Sequence, residues 1–348
     1  MSKIKLAIAG VGNCASAFIQ GIQYYKTHST NTDGLLYPEI AGYQISDIEV
    51  VCAFDVDARK VGKDLSEAIY APPNCTIKFE EVPRTGVIVQ MGPLLDGVPE
   101  HLMEYVEVAD KPPVDISNIL KESGAEILIN ILPTGSSSAT RAYVDAALEA
   151  GLAFINGIPE MIACDTEYAR KFSEIGKPLI GDDFKSQIGS TVIHRALIDI
   201  LIRRGIKINR MYQYNFAGNT DFANLEQRGQ TKEVTKTAAL KAELPYSVTW
   251  GFAPMYIHGQ EDTKTGVIVI NGSNWGNNKL KVDVKLEVND SANAGGVMAD
   301  MIRLAKVALD RGIGGPIIPV CAYFSKHPPK QIHDHEAKEL LDAFILGE

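Results

Sequence analysis

Three segments in the middle of the chain carry side chains that could bind phosphate or stabilise an oxyanion. Residues 181–189 (GDDFKSQIG) combine two carboxylates, a lysine and a serine, and residues 214–222 (YNFAGNTDF) place asparagines and an aspartate in a glycine-containing turn. Lys232 and Lys236 are four residues apart, so they would share one face of a helical turn. Such lysines usually lie on solvated faces. The alternative is a cationic phosphate or oxyanion pocket, with one desolvated lysine acting as an acid or base.

A glycine-rich turn near the start of the chain has the pattern of a dinucleotide-binding loop. The sequence GVGNCA begins at Gly10, directly after a strand-like run and directly before helix-forming residues. In this pattern the first glycine permits a tight turn, Gly12 lets the backbone approach a pyrophosphate, and Ala15 lies where helix and strand pack. A second strand-like run ends in Asp55, the usual position of a carboxylate that accepts the ribose 2′-hydroxyl group. This acid favours NAD over NADP, and Arg59 keeps NADP as the alternative.

Alternating strands and helices predict that a doubly wound α/β domain positions these segments. Short apolar runs, typical of strands in a parallel sheet, alternate with helix-forming residues. The strands predicted in this part of the chain are 3–9, 48–54, 127–132, 153–156 and 178–180. Between the first two, residues 27–46 are rich in Gly, Thr, Asn and Pro, which predicts either a mobile loop or a functional insertion.

The pattern changes after about residue 190. Residues 280–288 (LKVDVKLEV) alternate between polar and apolar side chains, which predicts a sheet with one solvated or partner-covered face. Residues 294–312 then return to an amphipathic helix that ends at a glycine. We therefore predict a Rossmann domain formed by 1–189 and 294–348, interrupted by a second domain at 190–293.

The composition excludes several classes of protein. The 348 residues are 45% hydrophobic and 22% charged, which supports a large core and excludes extensive disorder. A net charge of −9 argues against a nucleic-acid partner or an anionic membrane surface. Five scattered cysteines without a CxxC motif are typical of reduced thiols, not of a disulfide framework or a zinc site. The chain has no apolar run long enough for a membrane span and no signal-peptide pattern, so we predict a cytoplasmic protein.

Two histidines near the end of the chain raise the question of a metal site. His333 and His335 are two residues apart, so they would not share a helix face, and their segment is charged. A solvated surface is therefore the better interpretation, and the sequence predicts no metal ligands.

Together these segments resemble the myo-inositol-1-phosphate synthase (inositol-3-phosphate synthase) family in its shorter prokaryotic form. The resemblance extends over nearly the whole chain and includes AIAGVGNCAS, ILPTGSSSA, EVNDSANAGG and AYFSKHPP. Its most specific part is GDD-x-K-S, followed in order by N-x-x-G-N-x-D and K-E-x-x-K. It implies a Rossmann domain interrupted by an α+β catalytic and oligomerisation domain, whose open sheet forms the core of a homotetramer.

The resemblance also implies an activity, the first step of inositol and phosphoinositide biosynthesis. D-Glucose 6-phosphate would become 1D-myo-inositol 3-phosphate through oxidation at C5, enolisation, an aldol closure of C6 onto C1, and reduction. NAD would be a catalytic cofactor, so the reaction would have no net redox change. The segment GDDFKSQIGST departs from the GDD-x-K-S-G-Q-T of eukaryotic members. A requirement for a divalent metal or a monovalent cation therefore stays open.

Site residues follow from the resemblance by matching motifs. The catalytic residues would be Lys232, Lys236, Lys264, Asp290 and Lys326. Lys236 and Lys326 would serve the hydride and proton steps at C5, with Asp290 in their relay. Lys264 would stabilise the aldol oxyanion, and Lys232 would bind phosphate or cofactor. The cofactor contacts would be Gly10, Gly12, Asn13, Cys14, Ala15, Asp55, Asp64, Tyr143, Asp183, Ser186, Asp221 and Lys232, with weaker matches at Asn215, Asn219 and Ser291.

Two alternatives to a synthase remain at this stage. One is another NAD-dependent dehydrogenase that combines a Rossmann domain with an α+β substrate domain, and it would accumulate NADH with its substrate. The other is a catalytically silent protein that binds NAD or a sugar phosphate. Four lysine-bearing matches in the family's order argue against the silent protein.

Overall fold

The computed structural model describes residues 3–228 and 244–348, which form two sheets and the helices around them. The strands are β1 Ile4–Ala9, β2 Ile48–Asp55, β3 Gln90–Met91, β4 Ile127–Asn130, β5 Ala153–Asn156, β6 Pro178–Ile180, β7 Lys207–Ala217, β8 Thr249–Tyr256, β9 Thr263–Ser273, β10 Lys279–Asn289 and β11 Gly315–Pro316. The helices are α1 Asn13–Thr27, α2 Leu65–Ala68, α3 Ile116–Ser123, α4 Ser137–Ala150, α5 Thr166–Glu174, α6 Ser190–Arg203, α7 Thr220–Arg228, α8 Asp290–Asp310, α9 Ile318–Phe324 and α10 Asp334–Leu346.

The first sheet confirms the predicted doubly wound α/β fold. Its strand order is β11-β6-β5-β4-β1-β2-β3, and all neighbouring strands are parallel. Every residue of β4 and β5 is buried, as the nearly continuous apolar runs predicted. The strand order reverses between β1 and β4, and ligands of open α/β sheets bind at such a switch point, beyond the carboxyl ends of the strands.

Helix α8 returns the chain to the first sheet, as predicted, but its surroundings differ from the prediction. It begins at Asp290 instead of residue 294, and every residue from Val297 to Ala308 is buried. Such a helix is a core helix with no solvated face, so its description as amphipathic was wrong. It packs on α1, where an ideal Cβ on Gly295 would lie only 3.6 Å from the Cα of Phe18.

The segment between α1 and β2 is attached to the core, which argues against a mobile loop, and the other alternative, a functional insertion, stays a prediction. The fully buried guanidinium of Arg303 donates to the main-chain oxygens of Tyr37, Pro38 and Tyr43, at 2.9–3.3 Å. The Tyr43 hydroxyl donates to Asp310 at 2.6 Å. This segment therefore serves to cover α8, and its polar composition reflects turns and not mobility.

The second sheet has the order β10-β9-β7-β8, in which β9 is antiparallel to both β10 and β7, and β8 is parallel to β7. One face packs on α6 around Ile198, Ile208 and Ile268. The other face leaves Tyr214 and Met255 more than two-fifths exposed. Residues of β10 alternate in exposure, as the sequence predicted. Strand β8 and helix α6 were not predicted, and the exact domain boundaries stay a prediction.

Candidate active site

Most of the predicted site residues meet in a cavity between the two sheets. Its walls come from the glycine loop after β1, the segment after β4, and the loop between β6 and α6. The start of α7, the start of α8, strand β9 and the segment after α9 also contribute to the lining. The carboxyl ends of parallel strands therefore face residues of the second sheet across one cavity.

The glycine loop has the geometry that its pattern predicted. Gly10 has a φ of +98°, and an ideal Cβ there would lie 2.8 Å from the main-chain oxygen of Ile131, so only glycine fits. An ideal Cβ on Gly12 would meet no atom within 4 Å, which leaves open space in front of the backbone. Asp55 is held beside this loop because its Oδ2 accepts a hydrogen bond from the Val11 N–H at 2.8 Å.

Two basic residues after β2 have different surroundings. Arg59 donates to both carboxylate oxygens of Asp57, at 2.8 and 2.5 Å, and also to the main-chain oxygen of Tyr105. Lys60 is 3% exposed and lines the cavity, with its Nζ donating to the main-chain oxygen of Val11 at 2.9 Å. Lys60 was not predicted, because a lysine in a charged segment is usually solvated.

The loop from Gly181 to Gly189 is anchored by one of its two carboxylates and presents the other. Asp182 is fully buried and accepts the N–H groups of residues 162–164, and burial raises its pKa to about 6. The neighbouring residues pair with the segment after α9, because the Lys326 N–H donates to the main-chain oxygen of Asp183 at 2.7 Å. This pairing brings Lys326 Nζ to 2.6 Å from Asp183 Oδ1.

A second lysine–carboxylate pair lies in the same cavity. Lys264 is the second residue of β9, and Asp290 is the first residue of α8. Their atoms Nζ and Oδ1 are 2.8 Å apart, and both side chains are about one-sixth exposed, at 16% and 17%. Antiparallel pairing of β9 with β10 sets this distance, since Lys264 faces Val288 just before α8 begins. Two ammonium groups, each fixed by a carboxylate, therefore line one cavity with the glycine loop.

Most of the predicted residues are brought together here. The cavity is lined by Gly10, Gly12, Asn13, Cys14, Asp55, Tyr143, Asp183, Ser186, Asp221, Lys264, Asp290 and Lys326, and by the weaker matches Asn215, Asn219 and Ser291. Ala15 is fully buried and absent from the cavity lining, which agrees with its predicted packing role, while its predicted contact with the cofactor stays a prediction. Lys232 and Lys236 lie outside the described residues, so their predicted roles stay predictions.

Asp64 lies apart from the cavity, and its predicted contact with the cofactor stays a prediction. It is 3% exposed and caps α2, where it accepts hydrogen bonds from Ser66, Thr85 and Gly86 at 2.7–3.1 Å. Burial raises the pKa of this carboxyl, but the hydrogen bonds outweigh burial and hold the pKa well below its usual range. Among its described contacts, Asp64 therefore acts as the N-terminal cap of α2.

Histidines and carboxylates do not gather into a metal site in the part of the chain that is described. Across residues 3–228 and 244–348, no group of three or more His, Cys, Asp or Glu side chains is arranged to hold a metal ion. Between His333 and His335, Asp334 instead accepts hydrogen bonds from Lys185 and Arg195. No described helix is long and apolar enough to span a membrane. The cation requirement stays a prediction.

The fold and the cavity define a class: a Rossmann-type α/β protein in which a glycine loop and two lysine–carboxylate pairs share one site. The family model for myo-inositol-1-phosphate synthase matches residues 189–291. Inositol-3-phosphate synthases of Mycolicibacterium smegmatis and Corynebacterium glutamicum are each 43% identical to this chain, over 99% of it and 98–99% of their own lengths. The chain belongs to the inositol-3-phosphate synthase family.

A solved structure supports the fold independently. A myo-inositol-1-phosphate synthase-related protein from Thermotoga maritima superposes with a TM-score of 0.84 at 24% identity, covering 99% of this chain and 98% of that one. At this identity the comparison concerns the fold alone. The interrupted arrangement of the two sheets is therefore shared with that protein.

Proposed function

We propose that this chain is an NAD-dependent inositol-3-phosphate synthase, an isomerase that converts D-glucose 6-phosphate to 1D-myo-inositol 3-phosphate. One observation carries the proposal: Lys264 with Asp290 and Lys326 with Asp183 face the same cavity as the glycine loop. The 43% identity to curated synthases over nearly full length supports the same activity.

The residues of the loop fit a dinucleotide. Open space in front of Gly12 leaves room for a pyrophosphate, and Asp55 stands at the strand end where a ribose hydroxyl would bind. Arg59 is engaged by Asp57, which removes the reason to expect a ribose 2′-phosphate. The glycine loop and Asp55 would hold NAD, which would supply reversible hydride transfer at C5 of the sugar and so be used catalytically.

The lysine pairs suit the remaining chemistry. Oxidation, enolisation and aldol closure all pass through an alkoxide or enolate, and fixed donors stabilise such charge most strongly in the transition state. Lys326 and Lys264 are preorganised by their carboxylates, so little reorientation is needed when the charge develops. Ser190 and Thr191 begin α6 at the cavity wall, where main-chain N–H groups suit the substrate phosphate.

The oligomeric state, the cellular location and the domain division belong to the same proposal. The exposed face of the second sheet, with Tyr214 and Met255, supports a homotetramer in which other subunits cover it. A cytoplasmic location fits the five cysteines, none of which forms a disulfide bond in the described part of the chain. The domain division at 190–293 fits the two sheets, although α8 starts before residue 294.

Product analysis tests the function directly. The purified full chain is incubated with glucose 6-phosphate and NAD at a small fraction of the substrate concentration, across several cations. We expect an inositol monophosphate in the phosphorus NMR spectrum and no accumulated NADH by absorbance. Stoichiometric NADH without a cyclised product would instead indicate an ordinary dehydrogenase. Binding of NAD without either signal would indicate a silent binding protein.

A further inference from the structure

Behind the cavity wall lies a buried carboxylate that the motif matches did not assign and the mechanism above does not use. Asp262 is 1% exposed and directly precedes β9, two residues before Lys264. It does not line the cavity itself. A buried carboxylate is costly unless hydrogen bonds compensate its desolvation, so its partners indicate what it does.

Asp262 accepts hydrogen bonds from three separate segments. Its Oδ1 accepts from Ser291 Oγ at 2.9 Å and from Asn219 Nδ2 at 3.0 Å. Its Oδ2 accepts from the Ser291 N–H at 3.3 Å and from Thr76 Oγ1 at 3.4 Å. Asn219 and Ser291 both line the cavity. One carboxylate therefore joins the turn before α7, the start of α8 and a loop of the first domain.

The main chain of the same residue reaches one of the lysine–carboxylate pairs. The main-chain oxygen of Asp262 accepts the N–H of Asp290 at 2.9 Å. The side chain of Asp290 then holds Lys264 Nζ at 2.8 Å. The first two residues of α8 are thus fixed by the main chain and the side chain of Asp262 together.

We propose that Asp262 is a positioning residue, whose carboxylate orients Asn219 and Ser291 and aligns the Lys264–Asp290 pair at the start of α8. The inference rests on the proposed synthase function, because it assigns a role in that reaction. It differs from a purely structural role in one consequence: protonating the carboxylate should change turnover without unfolding the protein.

The electrostatic surroundings make that consequence measurable. Burial and the negative charge of Asp290 raise the pKa of Asp262 to about 6, against hydrogen bonds from Asn219 and Ser291 that lower it. The other titratable groups nearby are Lys264, Glu261 and Cys75. A proton on one carboxylate oxygen removes an acceptor from Asn219 or Ser291. Alignment, and with it kcat, should therefore be lost as pH falls through about 6.

Three variants of the full chain test the inference with NAD and glucose 6-phosphate. Asp262→Asn keeps the side-chain size and should lower kcat by about 10- to 100-fold, with KM within about threefold of the wild-type value. The kcat that remains should no longer fall as pH drops through about 6, so the acid limb of its pH profile should be absent. Ser291→Ala removes one hydrogen bond that lowers the pKa of Asp262, so the acid limb in the pH profile of this variant's kcat should move to higher pH. Asp300→Asn is the matched control, because Asp300 is also buried with a pKa raised to about 6 but lies outside the cavity lining.

Asp300→Asn should show the same acid limb in its pH profile as the wild type and the same turnover per folded molecule. Folding of each variant is checked by circular dichroism. If folded Asp262→Asn kept the wild-type kcat, or if its kcat still fell near pH 6, the inference would be overturned but the proposed function would not. If that variant does not fold, an unshifted limb in Ser291→Ala would overturn it. Absence of product from the wild-type protein would contradict the proposed function, and the inference with it.

Discussion

Replacing Lys326 by methionine should separate the catalytic use of a buried ammonium group from its structural use. Its Nζ lies 2.6 Å from Asp183 Oδ1, and the two side chains are only 11% and 4% exposed. Removing one partner of a buried pair typically costs about 3–5 kcal/mol of unfolding free energy, because the remaining charge loses its counter-ion. Methionine keeps the length of the side chain, so packing changes little.

Turnover should fall further than stability explains. A fixed donor to a developing oxyanion contributes about 100- to 1000-fold to kcat, so Lys326→Met should lose at least about 100-fold per folded molecule. Lys306→Met is the control, because Lys306 is 8% exposed by side chain, pairs with Glu126 at 2.6 Å, and is absent from the cavity lining. The assay is inositol phosphate formation, normalised to the folded fraction measured by urea unfolding.

The comparison has a clear contrary result. The control should lose less stability, because its partner Glu126 is 32% exposed, and should keep its turnover per folded molecule. If Lys326→Met retained turnover within tenfold of the wild type, or if Lys306→Met lost as much turnover as Lys326→Met, the assignment of Lys326 to the chemistry would be refuted.

Three further substitutions test the glycine loop, the attachment of residues 28–44 and the capping role of Asp64. Gly12→Val places a side chain in the open space, so NAD affinity measured by calorimetry should fall at least about tenfold, and unchanged affinity would contradict the binding mode. Arg303→Met should lower the unfolding free energy by about 3–5 kcal/mol and make residues 28–44 the first site of limited proteolysis. If the variant resisted proteolysis as well as the wild type, the attachment of these residues by Arg303 would be contradicted. Asp64→Ala should lose about 2–4 kcal/mol at pH 7. Because the folded pKa of Asp64 is depressed, this loss should shrink as pH falls below about 4, and a loss independent of pH in urea unfolding would contradict the capping role.

The sequence was most informative where periodicity and motif carried the information locally. The parallel sheet followed from short runs such as ILIN and AFIN, and the glycine loop from its two flanks. The polar composition of segment 27–46 left a mobile loop as one alternative, because the buried guanidinium that holds the segment comes from Arg303, more than 250 residues away. Long-range capping of this kind leaves no local pattern.

The site shows the same limit. Matching motifs found Lys264, Asp290 and Lys326, because each lies in a specific sequence context. They also selected Asp64, whose carboxylate accepts capping hydrogen bonds of α2 and lies outside the cavity lining. Asp262 was missed for the opposite reason, since a carboxylate in EDTKTG looks like a solvated turn residue until its burial is known.

The most direct test of the central claim follows one hydrogen atom through the reaction. Glucose 6-phosphate carrying deuterium at C5 is converted by the wild-type chain with a catalytic amount of unlabelled NAD, and the inositol phosphate is examined by NMR and mass spectrometry. An internal redox cycle predicts that the deuterium returns to the same carbon and remains in the product over many turnovers. Loss of the deuterium to free NADH, or a labelled cofactor pool without cyclised product, would contradict the account.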